Sequence, residues 1–359
     1  MGEFDGASGS FSGADEISGT NAGYGSETGE PAGQGGMETG LSAETGSVFE
    51  IAGSSAGGME FAGGGETGSR GPSEVVSSGT KEGISPVQSA VHEAGHESWE
   101  VPGTMQEARQ YVNATHQNSV QSILTSHGQY MTQSGIERVQ EGTKVNALTG
   151  RKMEARVGEG VAGYYTHLNG HSELNVRVMT YGQMERTTAH ETQHFSSYNN
   201  EIWVPDLQRH SATVYSRTGL RETEMVQNQE TGKVTVTGSK GQGLNEGMTN
   251  VYAHDKVAEI NPENALENER NGSYPEATAM ARELQGLVGK ETMAEAYYGG
   301  NKEGLAQKVN EMARDETAFD RMQKAFDMAA YGDETTQERG VREIQTILAT
   351  MYGNKPEEA

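Results

Sequence analysis

Thr187-Thr188-Ala189-His190-Glu191-Thr192-Gln193-His194 is the stretch on which the reading of this chain turns. Two histidines four apart on a helix share a face, with Cβ atoms about 5–6 Å apart, so both rings can reach one ion. Glu191 is rotated just off that face, within reach of a water beside the ion. Further along, Leu244-Asn245-Glu246-Gly247-Met248-Thr249 offers a carboxylate on a second helix.

The flanks of the motif set the expected fold. From Gly142 the texture is short and alternating, and 143–148, 151–157, 161–167 and 173–179 read as strands of a small sheet. The best of them is 173–179, where Leu174, Val176 and Val178 alternate. A helix from about Gln183 to Tyr198 then carries the two histidines. Strands are expected at 213–216, 223–228 and 233–237, the last two joined across Asn228-Gln229-Glu230-Thr231-Gly232 as a hairpin. From Leu244 onward the apolar spacing is helical: Ala277, Met280, Ala281, Leu284 and Val288, then Leu305, Val309 and Met312. Phe319, Met322 and Phe326 continue the pattern, and Val341, Ile344, Ile347, Leu348 and Met351 close it. Upstream, Ser85-Pro86 opens a helix-compatible stretch ending near Trp99. Thr104 with Glu107 forms a capping box. It starts a helix bearing Met105, Ala108, Tyr111 and Val112, with a second short helix at Val120, Ile123 and Leu124. The order is α+β, a small sheet leading into a site helix and then a mainly helical half.

Composition divides the chain. The first 83 residues hold 23 of its 49 glycines. Residues 1–80 contain twelve acidic side chains and one basic one, Arg70, so they carry −11 of the net −24. Such a stretch buries too little apolar surface to offset its ordering entropy, and 1–83 is expected to be a disordered tail. A tetrapeptide ending Glu-Thr-Gly recurs there at 26–29, 37–40, 43–46 and 65–68. Residues 84–142 follow as a helical segment, 143–272 as the core and 273–359 as a helical subdomain. The chain has no cysteine, so disulfides and thiolate sites are excluded and any zinc must sit among histidines and carboxylates. The acidic balance argues against nucleic-acid backbones as partners. No run of apolar residues is long enough to span a membrane, and Met1-Gly2-Glu3-Phe4-Asp5 does not resemble a signal peptide. The expected location is cytoplasmic, with export by a route that leaves no cleavable signal as the other option.

A His-Glu-x-x-His helix is the spacing of zinc metallopeptidases, with the glutamate as general base. Paired with the later Asn-Glu helix, it resembles the gluzincins, the thermolysin-like zinc peptidases whose third ligand is a helical glutamate. The resemblance covers about residues 143–260 and implies zinc held by His190, His194 and Glu246. It also implies Glu191 as general base, hydrolysis of peptide bonds, and a peptide or protein substrate. Thermolysin-like enzymes usually place an aspartate four residues after the ligand glutamate to orient a ligand histidine; here that position is Asn250, which accepts an N–H bond without bringing charge. Tyr198, Tyr215, Tyr252 and His254 are candidate oxyanion donors, with Tyr252 and His254 first because they ride the Glu246 helix or its next turn.

Rival signals are weaker. His92-Glu93-Ala94-Gly95-His96 repeats the metal spacing but follows the glycine-rich tail and meets Val101-Pro102 soon afterwards. His210 is an alternative third ligand. Gly158-Glu159-Gly160-Val161-Ala162-Gly163 has dinucleotide-loop spacing but leads into strand-like sequence where a helix is required. Gly53-Ser54-Ser55-Ala56-Gly57 has nucleophile-elbow spacing within the tail. Two other functions remain open from sequence: a zinc-stabilised binding module without turnover, and a peptidase delivered into another cell.

Overall fold

The computed structural model describes residues 97–168, 171–260 and 273–354. The expected tail over 1–83, the Gly53–Gly57 motif and the His92–His96 pair lie outside these residues, as does 261–272. So does most of the stretch expected to be helical before Trp99; residues 98 and 99 form a turn.

Helix α1 (Met105–His127) begins at the expected capping box, Thr104 Oγ1 accepting from Glu107 N at 3.2 Å. It is one helix of 23 residues, where two shorter ones were expected. Nothing between Asn113 and Asn118 breaks it, and His116 and Ser119 are buried in its middle, so tertiary burial carries it through a polar run. Helix α2 (Gln133–Glu141) precedes strand β1 (Lys144–Leu148).

The segment 151–157, expected as a strand, is helix α3 (Gly150–Val157). Thr149 caps it, accepting from Lys152 N at 3.4 Å. Arg-Lys-Met-Glu-Ala-Arg are good helix formers, and only Met153 is buried, so alternation had no inward face to follow. Strands β2 (Gly163–Leu168) and β3 (His171–Arg177) complete a three-stranded sheet of order β1-β3-β2, with β1 parallel and β2 antiparallel to β3. Within the described residues, β2 is therefore an edge.

Helix α4 (Tyr181–Ser196) packs under β2 and β3. It starts two residues earlier than expected because Thr180 and Gln183 form a second capping box. Fourteen of its residues are buried, which leaves it almost no solvent face. It is the central helix of the molecule, with α1 packed against it as well.

Between α4 and the next helix lies a four-stranded antiparallel sheet, β4 (Asn199–Asp206), β5 (Ser211–Thr218), β6 (Arg221–Asn228) and β7 (Val234–Lys240). The β6–β7 hairpin was expected; β4 was not. Its Ile202, Val204 and Pro205 are exposed, and Pro205 is tolerated because β4 is an edge strand.

Helix α5 (Gln242–Ile260) then runs beside α4. Its start is fixed from outside, Asp327 accepting from Gly241 N at 3.1 Å and Gly243 N at 2.6 Å. Asp327 belongs to the fourth of the five remaining helices, α6 (Pro275–Val288), α7 (Lys290–Tyr298), α8 (Lys302–Ala313), α9 (Ala318–Tyr331) and α10 (Glu334–Gly353). They bury the expected apolar series, including Leu284, Val309, Phe326, Ile344 and Met351, in one core continuous with Phe195, Leu244 and Met248. Helices α5 and α6 meet at Gly247, where a Cβ would stand 2.7 Å from the Ala277 carbonyl oxygen. The architecture is α+β, with two small sheets and a helical half. No helix among the described residues is long and apolar enough to cross a membrane.

Candidate metal centre

His190 and His194 project from α4 and Glu246 from α5, and all three are buried. His190 Nε2 lies 3.1 Å from His194 Nε2. Glu246 Oε2 lies 3.2 Å from the first and 3.3 Å from the second. Nitrogen and oxygen donors at about 2.0–2.1 Å from a tetrahedrally coordinated ion would stand about 3.3–3.4 Å apart, so the triangle is nearly the size such an ion needs. This group could hold a metal ion.

The protonation states fit that use. Burial depresses the His194 pKa, keeping its imidazole neutral with a lone pair to offer. Burial by itself would raise that of Glu246, but a proton on the facing nitrogen of His194 or His190 outweighs it and holds the carboxyl well below the usual range; a metal ion would take that proton's place.

The outer nitrogens of both rings are held. His190 Nδ1 lies 2.7 Å from Asn250 Oδ1. The Asn250 amide has its orientation fixed by donating through Nδ2 to the Ser273 carbonyl and, at 3.1 Å, to Thr278 Oγ1. His190 Nδ1–H therefore donates to an amide oxygen, which leaves Nε2 free to face the cluster. His194 Nδ1 has Thr249 Oγ1 at 3.5 Å. That hydroxyl donates to the Asn245 carbonyl at 2.8 Å and stands 2.8 Å from the Tyr297 hydroxyl. Asn245 Oδ1 accepts from Leu220 N at 2.9 Å, tying α5 to the β5–β6 turn. One run, Asn245-Glu246-Gly247-Met248-Thr249-Asn250, thus supplies a donor, its helix anchor and both histidine supports.

Glu191 is fully buried and takes no part in the triangle. Among the described residues no side chain hydrogen-bonds either carboxylate oxygen. Burial pushes its pKa well above the usual value, the Glu246 charge adds to this, and the backbone of Tyr165 offsets only part of it. Strand β2 passes directly over it. A Cβ on Gly163 would stand 3.0 Å from Glu191 Oε1 and would overlap Thr187 Cγ2, so only glycine lets the strand lie this close.

The other proposed site residues lie outside the donor triangle. Tyr252 is enclosed by His127, Tyr297 and Tyr298, each ring centroid 5.1 Å away. Eight residues after Glu246, about two helical turns, His254 returns to the cluster side, and burial lowers its pKa to about 4. Its Nδ1 is buried without a hydrogen-bond partner among the described residues. Tyr215 is exposed on the second sheet, and Tyr198 packs beneath Arg217. His210 occupies an exposed left-handed turn position outside the cluster.

Two tyrosines were missed by the sequence reading. Tyr274 and Tyr331 pack edge to face at 5.4 Å. Burial raises the pKa of Tyr274, with contributions from Glu246 and Glu191. Tyr331 is 43% exposed as a residue, yet burial of its hydroxyl and then Glu246 raise its pKa in the same way. The Glu246 charge therefore acts on both rings. Tyr274 is held at φ 54 immediately after Ser273, whose carbonyl anchors Asn250. Neither belongs to a motif; only the short apolar spacing around them was visible.

No protein-family model matches the chain, and no curated protein or solved structure shows significant similarity to it.

Proposed function

We propose that the protein is a zinc-dependent peptidase with a gluzincin-like arrangement, in which Glu191 is the general base. The observation that carries this reading is Glu191 itself: a buried carboxyl beside the three-donor group, outside the donor triangle and, among the described residues, hydrogen-bonded by no side chain. A carboxylate kept there at such a desolvation cost has no structural role to explain it, whereas proton transfer requires it to be unengaged. A purely structural metal site has no need of it.

Histidine and carboxylate donors without cysteine suit zinc, and three protein donors leave a coordination position open, as in catalytic zinc sites. Zinc bound there supplies Lewis acidity and brings the pKa of coordinated water towards about 7. The chain's own residues do the remainder. Glu191 takes a proton from the attacking water and returns it to the departing amine, a role suited to a base whose pKa burial raises. Neutral His254 and the Tyr274–Tyr331 pair are the candidate donors for charge developing on the carbonyl oxygen. The β2 edge over Glu191 offers backbone hydrogen bonds to an extended chain, which favours a peptide as substrate.

The test is to strip the protein of metal, restore zinc, and digest a mixture of unrelated peptides with mass-spectrometric readout. Zinc-restored cleavage is expected. Full zinc occupancy without cleavage of any peptide would refute the peptidase reading.

A further inference from the structure

A cleft of ≈ 70 Å³, open to solvent, reaches the cluster from the side of the second sheet and is lined in part by His194 and Glu246. One wall is Tyr165, Thr166 and His167 of β2. The opposite wall comes from β5 and β6, whose register places Ser216 opposite Thr223 and Thr218 opposite Arg221, with Met225 further along the same face.

Charge in this cleft is one-sided. Among the described residues its only acidic lining residue is Glu246, which belongs to the candidate donor triangle. Among the described residues its only permanent cation is Arg221. The neighbouring carboxylates are engaged elsewhere: Glu222 pairs with Lys302 at 2.9 Å and Asp327 caps α5. Arg221 Nε makes one bond, to Ser239 Oγ at 3.3 Å, and no carboxylate lies within ion-pair distance of it among the described residues. An arginine presents five donors in a planar fork matched to a carboxylate. In a chain with a net charge of −24, an unpaired one facing a hydroxyl-lined cleft beside the metal group is not explained by fold stability.

We infer that Arg221 is a specificity-determining residue that binds a carboxylate of the peptide substrate in this cleft. This rests on the peptidase reading for the nature of the ligand. The carboxylate is either an acidic side chain near the scissile bond or a free C-terminus. Ser216 and Thr223 complete the pocket by donating to the oxygens that the guanidinium leaves unsatisfied.

The experiment uses the full, zinc-loaded chain carrying Glu191→Gln, so that bound peptide is not consumed. Binding is measured for a neutral amidated peptide, for versions with a single Glu walked through it, and for the same peptide with a free C-terminus. At least one carboxylate peptide should bind about tenfold or more tightly than the neutral one, as a charge-assisted bidentate pair implies. Whether an internal Glu or the free terminus confers the gain identifies the source. Arg221→Gln should shrink the ratio to within about twofold, and Arg221→Lys should restore part of it. The inference is overturned if no peptide binds, if neutral and carboxylate peptides bind alike, or if Arg221→Gln keeps the preference. Because binding is read without turnover, a protein that shows the Arg221-dependent preference yet cleaves nothing without Glu191→Gln contradicts only the peptidase reading.

Discussion

Asn250 Oδ1 stands 2.7 Å from His190 Nδ1, so an amide supports one of the proposed metal ligands where a carboxylate would add charge. The amide also spans two helices, since its Nδ2 donates to Ser273 and Thr278. Asn250→Ala should weaken zinc affinity about 10–100-fold, the usual cost of losing such an outer partner. Asn250→Asp should keep the bond to His190 while giving up the donors to α6. Competition with a chromogenic chelator measures both, and an unchanged affinity for Asn250→Ala would detach Asn250 from the metal group.

Glu246→Gln should abolish tight zinc binding, because the neutral amide removes the anionic donor from a triangle of 3.1–3.3 Å edges. Glu222→Gln and Glu224→Gln, on the β6 strand, should leave zinc affinity unchanged. Normal zinc binding by Glu246→Gln, read by equilibrium dialysis, would remove the proposed third ligand.

How much of this was legible in sequence follows from what each signal encodes. The metal triad is written in local spacing: i and i+4 on one helix, and an Asn-Glu opening on another. The turn of α5 from Glu246 to Asn250 is equally local. Helix α3 was misread because its alternation reflects a single buried Met153 rather than a sheet face. Strand β4 escaped notice because it is an exposed edge carrying Pro205, with no burial to impose a period. Arg221, Tyr274 and Tyr331 reach the site from a strand and two helices far apart in sequence, and only tertiary packing brings them together. Tyr252 has the right helix but the wrong face: six residues after Glu246 falls about 240° around the axis.

Gly247→Ala should destabilise the protein by about 1–3 kcal/mol through overpacking, since its Cβ meets the rigid Ala277 carbonyl at 2.7 Å. Gly286→Ala, with nothing within 4 Å of the added Cβ, is the control and should cost nothing. Denaturant midpoints compare them; equal stability of the two variants would mean that α5 and α6 separate readily.

Burial lowers the His116 pKa from 6.5 to about 4. The folded state therefore binds fewer protons than the unfolded chain between those values. Its contribution to stability is complete above pH 6.5 and is lost as pH falls towards about 4. His116→Gln should flatten this limb of the stability–pH curve. A limb as steep in the variant as in the parent would show that His116 does not titrate this way.

The most direct test of the account pairs zinc content with peptide hydrolysis in Glu191→Gln. The residue is buried beside the metal group and ligates nothing, so the variant should retain zinc at the parent's stoichiometry and affinity. Its hydrolysis should fall by about 10²-fold or more, the contribution expected of a positioned general base. Retained hydrolysis in the zinc-loaded variant, or loss of zinc together with activity, would contradict the role assigned to Glu191.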